Sequence, residues 1–210
     1  MKPHALWKGA EAIVRIGSTL MFDLKVYGRD NVPDEGGALM VSNHQSYLDP
    51  AALGAQLRRP MSYLAKADLW KNKAFGWLIS HLYAFPVQQG KGDKGAITET
   101  ITRLQEGHLL NIFPEGSRTE DGELLPIQRG VALVIRKAKV PVIPTVIDGS
   151  FRAWPKGQAL PHRRPVRVLI GKPIRMDHMD GKEIVAEIDR MLRAMLAELR
   201  AKEAASRSRV

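Results

Sequence analysis

The sequence predicts an α/β fold: a single-layer mixed, partly parallel sheet flanked by helices, preceded by an N-terminal amphipathic helix. Two observations carry this. Short apolar runs rich in branched residues alternate with segments whose apolar residues recur at helical spacing, the pattern of strands joined by helical crossovers. The 210 residues, 44% of them hydrophobic, fill one ordinary core and are too few for two comfortable domains, so residues 1–210 read as one domain.

The elements follow in order. Leu6, Ala10, Ile13, Val14, Leu20 and Met21 recur at helical spacing, with Lys8, Glu11, Arg15 and Ser18 largely opposite. A spanning helix needs ~20 mostly apolar residues, and the charges leave only Ile16 to Phe22 uninterrupted, so residues 1–22 cannot cross a bilayer. Glu11 also interrupts any secretory signal. The segment reads either as a membrane-interface helix, with Trp7 near the headgroups, or as a helix packed on the core. Phe22 to Tyr27 alternates like a strand and Ala38 to Val41 reads as a buried one, with the turn cluster Pro33 to Gly37 between them. A helix is expected over Ala51 to Leu57, a strand over Met61 to Ala65, an apolar helix over Phe75 to Leu82 and a strand over Tyr83 to Val87. After a polar loop, Ile97, Ile101 and Leu104 mark a helix ended at Gly107. Strands at His108 to Phe113, Val142 to Ile147 and Val166 to Ile170 enclose a helix at Gly130 to Ala138. Asp180 and Glu183 have the spacing of a capping box for a long last helix, and residues 204–210 read as a flexible tail.

The formal net charge of +10 and a pI near 10.0 predict attraction to polyanions: an anionic membrane surface, an acidic carrier or nucleic acid. Basic residues cluster at His162-Arg163-Arg164 with Arg167, and from Arg200 to Arg207, but no stacking aromatics are interleaved and no nucleic-acid motif is present. No nucleic-acid partner is therefore expected. The chain has no Cys, which excludes disulfides, a thiol nucleophile and a thiolate zinc site.

Two stretches carry candidate chemistry. In "NHQSYLD", Asn43 to Asp49, the His and Asp are five residues apart. On a helix they would stand about 140° apart, and on a strand an odd separation places them on opposite faces. They can meet only across a bend, which a strand ending near Ser42 and a helix starting at Asp49-Pro50, with Asp49 as N-cap, would supply. Asp49 would then fix the tautomer of His44 and leave Nε2 free as a general base. By itself the pair reads equally as a helix cap beside a loop histidine. "FPEGSRT", Phe113 to Thr119, follows a strand and sets Glu115 and Arg118 on a small-residue loop suited to a phosphate or carboxylate, or to a simple surface ion pair. Ser117 does not stand in a G-x-S-x-G elbow.

Together these stretches resemble a family. "NHQSYLD" is similar to the NH-x4-D block of the glycerophospholipid acyltransferases (1-acylglycerol-3-phosphate acyltransferases). "FPEGSRT" resembles their F-P-E-G-[ST]-R block, and "VPVIPTVI", Val140 to Ile147, their V-P-[VI]-[VI]-P block. The likeness runs in order from about Gly28 to Gly171. It implies His44 as general base, Asp49 as its orienting partner, and Glu115, Gly116 and Arg118 as an acceptor-phosphate site with Lys66 as a further cation. The implied reaction transfers a fatty acyl group from acyl-CoA or acyl carrier protein to the hydroxyl of a lyso-phospholipid, at the cytoplasmic face of a membrane to which the protein binds peripherally. No metal or other cofactor is called for, because a thioester has a good leaving group and its attacker needs only a base. The acyl chain would lie in an apolar tunnel around Phe75 to Leu82.

Two departures bear on the acceptor. Where the family commonly has an Arg after its F-P-V, this chain has Gln88-Gln89, and where it often has Phe-Lys-x-Gly, this chain has Ile127-Gln128-Arg129-Gly130. Both remove a cation, although Lys91 and Arg129 lie nearby, and they leave room for another lyso-lipid acceptor such as a lyso-amino-lipid. A basic, non-enzymatic membrane- or nucleic-acid-binding protein is the rival from another class.

Overall fold

The computed structural model describes residues 4–87 and 94–208. Helix α1 (Ala5–Phe22) opens where the His4 ring accepts at Nδ1 from the Trp7 N–H, and it ends at Asp23, which is left-handed at φ 40°. Strand β1 is Lys25–Tyr27, shorter than expected because Phe22 stays helical and turns its ring into the core. Then come β2 (Ala38–Ser42), α2 (Asp49–Gly54), β3 (Met61–Lys66), α3 (Lys73–His81), β4 (Ala84–Val87), α4 (Lys94–Gln105) and β5 (Leu109–Ile112). The chain continues through α5 (Gly130–Ala138), β6 (Val142–Asp148), the short α6 (Ser150–Ala153), β7 (Arg167–Ile170) and α7 (Gly181–Arg207). Helix α6 was not expected, since four residues show no periodicity.

The sheet order is β1-β7-β6-β2-β5-β3-β4. Strands β6, β2, β5, β3 and β4 are mutually parallel; β7 is antiparallel to β6, and β1 runs parallel to β7. This is the mixed, partly parallel sheet expected. All five residues of β2 are buried, which is why that stretch reads as a continuous apolar run and does not alternate. One face carries Leu39, Val41, Leu110, Val142 and Val146 and is covered by Leu104 of α4, by α5 and by the apolar stripe of α7. The other carries Ala38, Met40, Leu109, Ile143 and Ile147 and is covered by Ala52 and Leu53 of α2 and Ala153 of α6.

Helix α7 starts at the expected capping box: Asp180 accepts from the Lys182 and Glu183 amides while Glu183 accepts from Asp180 N–H. It continues through Ala204 to Arg207, where a flexible tail was expected. Alanines at 201, 204 and 205 favour helix, and Glu203 is held by the Arg167 guanidinium at 2.7 Å and the Tyr27 hydroxyl at 3.0 Å. Arg167, buried, also binds Asp23, so one guanidinium joins the end of α1, β7 and α7. Among the described residues no helix is long and apolar enough to cross a membrane.

Candidate active site

Parallel neighbours β2 and β5 end together, Val41 opposite Ile112, so the loops leaving their carboxyl ends face one another. This is where open α/β sheets place their sites. The first loop carries Asn43 to Leu48 and the second begins at Phe113-Pro114-Glu115.

The bend between His44 and Asp49 is real. His44 Nδ1 lies 2.8 Å from Asp49 Oδ2. A carboxylate only accepts, so Nδ1 carries the proton and Nε2 keeps its lone pair. Asp49 does not cap α2 as expected. Leu48 holds the N-cap position, and Asp49 Oδ2 instead accepts from the backbone N–H of Gln45 at 2.6 Å and of Ser46 at 2.7 Å. The fully buried carboxylate is thus committed to the loop that holds the imidazole. The His44 side chain is 19% exposed, and its ring stacks on Phe113 at 3.9 Å between centroids.

The second loop grips the first. Glu115 Oε1 accepts from His44 N–H at 2.6 Å, Glu115 Oε2 accepts from Leu125 N–H at 2.7 Å, and Thr119 N–H donates to His44 C=O at 3.0 Å. Glu115 is buried, and that burial pushes its carboxyl up to about 7 against the opposing pull of the two amide hydrogen bonds. Both Glu115 oxygens, expected in a phosphate site, are occupied by these amides in the structure. Gly116 has φ 74°, a conformation that a side chain disfavours.

Arg118 forms no ion pair with Glu115. Its guanidinium lies 3.4 Å over the Tyr47 ring, and its Nη1 is buried without a hydrogen-bond partner among the described residues. A cation fixed by stacking, with donors unspent, is ready to take an anion. Lys66 is exposed at the end of β3, on the same sheet edge but two strands from β2, a separation of roughly 10 Å. Gln128 sits beside Gly116, and Gln88, Gln89 and Lys91 lie outside the described residues.

Several residues escaped the sequence reading. Asn43 makes a two-way bond with β6, donating to Ile147 C=O at 2.9 Å and accepting from Ile147 N–H at 2.7 Å. Gln45 donates to Gly122 C=O at 2.8 Å, and Ser46 to Trp154 C=O at 2.7 Å. The available signal was an unusually polar run directly after a fully apolar strand, which has to bury its polar groups on partners. Beside Tyr47 opens an apolar cavity of about 410 Å³ lined by Val14, Tyr47, Pro50, Phe75, Ile79 and Leu82, among others. The expected tunnel residues line it, but α1 and α2 complete it.

The sequence model of the Acyltransferase family matches residues 23–148. A 1-acyl-sn-glycerol-3-phosphate acyltransferase of Bacillus subtilis is 27% identical over 198 residues, covering 92% of this chain and 96% of that one. A chloroplastic 1-acyl-sn-glycerol-3-phosphate acyltransferase of Brassica napus is 29% identical over 153 residues, 71% of this chain but 44% of its own length. The crystal structure of the 1-acyl-sn-glycerophosphate acyltransferase PlsC from Thermotoga maritima superposes with a TM-score of 0.80 at 26% identity, covering 93% of this chain and 80% of that one.

Proposed function

Since the chain belongs to the Acyltransferase family and is an O-acyltransferase of phospholipid biosynthesis, we propose that it moves a fatty acyl group from a thioester, acyl-CoA or acyl carrier protein, to the free hydroxyl of 1-acyl-glycerol-3-phosphate. The observation that carries the reading is the 2.8 Å contact of His44 Nδ1 with a buried Asp49, which leaves Nε2 free on the loop whose Tyr47 carries the stacked Arg118 and lines the apolar cavity. His44 Nε2 takes the proton of the acceptor hydroxyl as its oxygen attacks the thioester carbonyl. The tetrahedral intermediate collapses, the C–S bond breaks, and the thiolate leaves with the proton returned from Nε2. Asp49 stabilises the imidazolium in between.

Arg118 binds the acceptor phosphate with Gly116 giving close backbone approach, Lys66 adds a more distant cation, and the cavity takes an acyl chain. Glu115 acts in this reading as a brace on the His44 backbone. The enzyme works at the cytoplasmic membrane surface without spanning it, held by the exposed apolar side of α1 and by its net positive charge. A second reading, transfer to a less charged lyso-lipid, is favoured by Gln128, which stands neutral beside Gly116 where the resembled family often carries Lys.

The test is thioester-dependent acylation across a panel of lyso-lipids. His44→Ala should lose at least about a hundredfold in kcat, and Asp49→Asn should also fall sharply. Near-normal turnover by His44→Ala would remove the mechanism, and a preferred zwitterionic acceptor would select the second reading.

A further inference from the structure

One oxygen of Asp49 takes no part in holding the His44 loop. Oδ2 accepts from His44, Gln45 and Ser46, while Oδ1 is buried with no hydrogen-bond partner among the described residues. A second buried polar atom in the same position is Asn111 Nδ2, in β5. One is an acceptor and the other a donor.

Their placement puts both on the side of the sheet that α2 covers. Asn111 is opposite Met40 on β2 and Tyr63 on β3, and all three side chains face the layer that holds α2. On the β2 side, Ser42 Oγ, two residues before His44, donates to Asn111 Oδ1 at 3.0 Å. On the β3 side, the Tyr63 hydroxyl donates to Pro50 C=O at 2.9 Å, and Pro50 follows Asp49. Asn111 is therefore bracketed from one strand by the root of the His44 loop and from the other by the residue next to Asp49. Because its oxygen is occupied by Ser42, its NH₂ is the end left for a carboxylate.

We propose that Asn111 is a positioning residue for the His44–Asp49 pair: its Nδ2 reaches Asp49 Oδ1 through one buried water, and Ser42 sets the amide the right way round. The inference rests on His44 acting as general base. An acceptor-only carboxylate with one oxygen on the imidazole and the other on a water held by a fixed amide cannot rotate freely, so the imidazole is held in the plane the reaction needs. The donation also offsets part of the Asp49 charge.

Two substitutions separate this from a packing role. Asn111→Leu keeps the branched four-atom outline, at a larger volume, and removes the donor; Asn111→Ser leaves space but keeps a hydroxyl donor that a water can extend. If Asn111 only fills the core, Leu should be the more active variant. If it positions Asp49, thermal stability should rank Leu at or above Ser while kcat ranks Ser above Leu. Leu should be down roughly tenfold or more in kcat at unchanged acceptor KM. Glu115 and Arg118, the other charged groups placed around the pair, are the same in both variants. In the unmutated protein, which avoids any question of folding, the Asn111 side-chain amide signal should shift by NMR as His44 titrates. A kcat order of Leu above Ser, or an amide signal indifferent to that titration, would overturn the proposal. His44→Ala measured alongside separates the two failures: if it stays active the base reading falls, and if it is dead while the order is reversed only the role of Asn111 falls.

Discussion

Arg118 and Glu115 stand three residues apart in one short loop, yet they face different problems. Arg118 spends its face on Tyr47 and has a buried nitrogen with no hydrogen-bond partner among the described residues, so its replacement removes little from the fold and much from an anion site. Arg118→Ala should raise the acceptor KM by roughly tenfold to a hundredfold with a smaller change in the donor KM; equal changes in both would show that it binds no acceptor phosphate. Glu115 is the reverse. Its folded carboxyl is raised to about 7 by burial, so the folded state holds the proton more tightly than the unfolded chain does. The stability linked to that proton is fully present below the unfolded value near 4.5 and is lost as pH rises through about 7. Glu115→Gln has no such titration, but its NH₂ must face one of the two backbone N–H donors. It should cost about 1–3 kcal/mol at neutral pH and flatten the pH dependence of unfolding between about 4.5 and 7. An unfolding profile with the unmutated slope would show that Glu115 does not titrate there. From sequence, Glu115 reads as a site residue through the resemblance of its block to F-P-E-G-[ST]-R; that its oxygens turn to the amides of His44 and Leu125 depends on how the two loops dock, which no local pattern encodes.

At the scale of elements, the His44–Asp49 contact was legible because it follows from local rules: a strand that must end, a proline that must start a helix, and a bend between. Asp49 as a cap was not, since whether a carboxylate satisfies the helix ahead of it or the loop behind it depends on where the neighbouring amides lie. The strands and most helices were legible from apolar period, but sheet order and the reversal of β7 were not, because pairing is decided between distant segments. The same holds for the cavity. Gly54 of α2 and Tyr63 of β3 both line it, and an added Cβ at Gly54 would stand 1.7 Å from the Tyr63 hydroxyl, which already bonds Pro50 C=O. Gly54→Ala must therefore push the Tyr63 ring, at a cost of about 1–3 kcal/mol. If the acyl chain lies here, that ring moves into its path, and the preference among donors should shift to shorter chains. An unchanged chain-length profile with reduced stability would place the acyl chain elsewhere.

The whole molecule carries +10, but the charge is less available than the sequence implies. Arg167 is buried against Asp23 and Glu203, and Arg200 pairs with Glu123 and Asp148, so part of both basic clusters holds the fold together. The apolar contribution to any membrane contact is clearer. Helix α1 turns Trp7, Ala10 and Val14 toward the cavity, while Ile13, Ile16 and Leu20 stand 73%, 58% and 70% exposed. A helix serving only the core would not leave a row of three large aliphatic residues in water, which favours the interface reading of residues 1–22. Deleting α1 would be a poor test, since it would also strip one wall from the cavity. Changing Ile13, Ile16 and Leu20 to Ser spares that wall. Each side chain contributes up to about 1.5–3 kcal/mol if fully buried in lipid, so the triple variant should bind neutral vesicles at least tenfold more weakly. Anionic vesicles at low salt should still hold it through basic groups. At about 1 M salt, where charges are screened within ~3 Å, the variant should release from anionic vesicles while the unmutated protein keeps an apolar remainder. Acylation of a short-chain, micelle-free acceptor should be unchanged, because the His44 loop and the cavity wall are intact. Equal binding by both proteins to neutral vesicles and at high salt would show that the outer stripe of α1 never meets the bilayer.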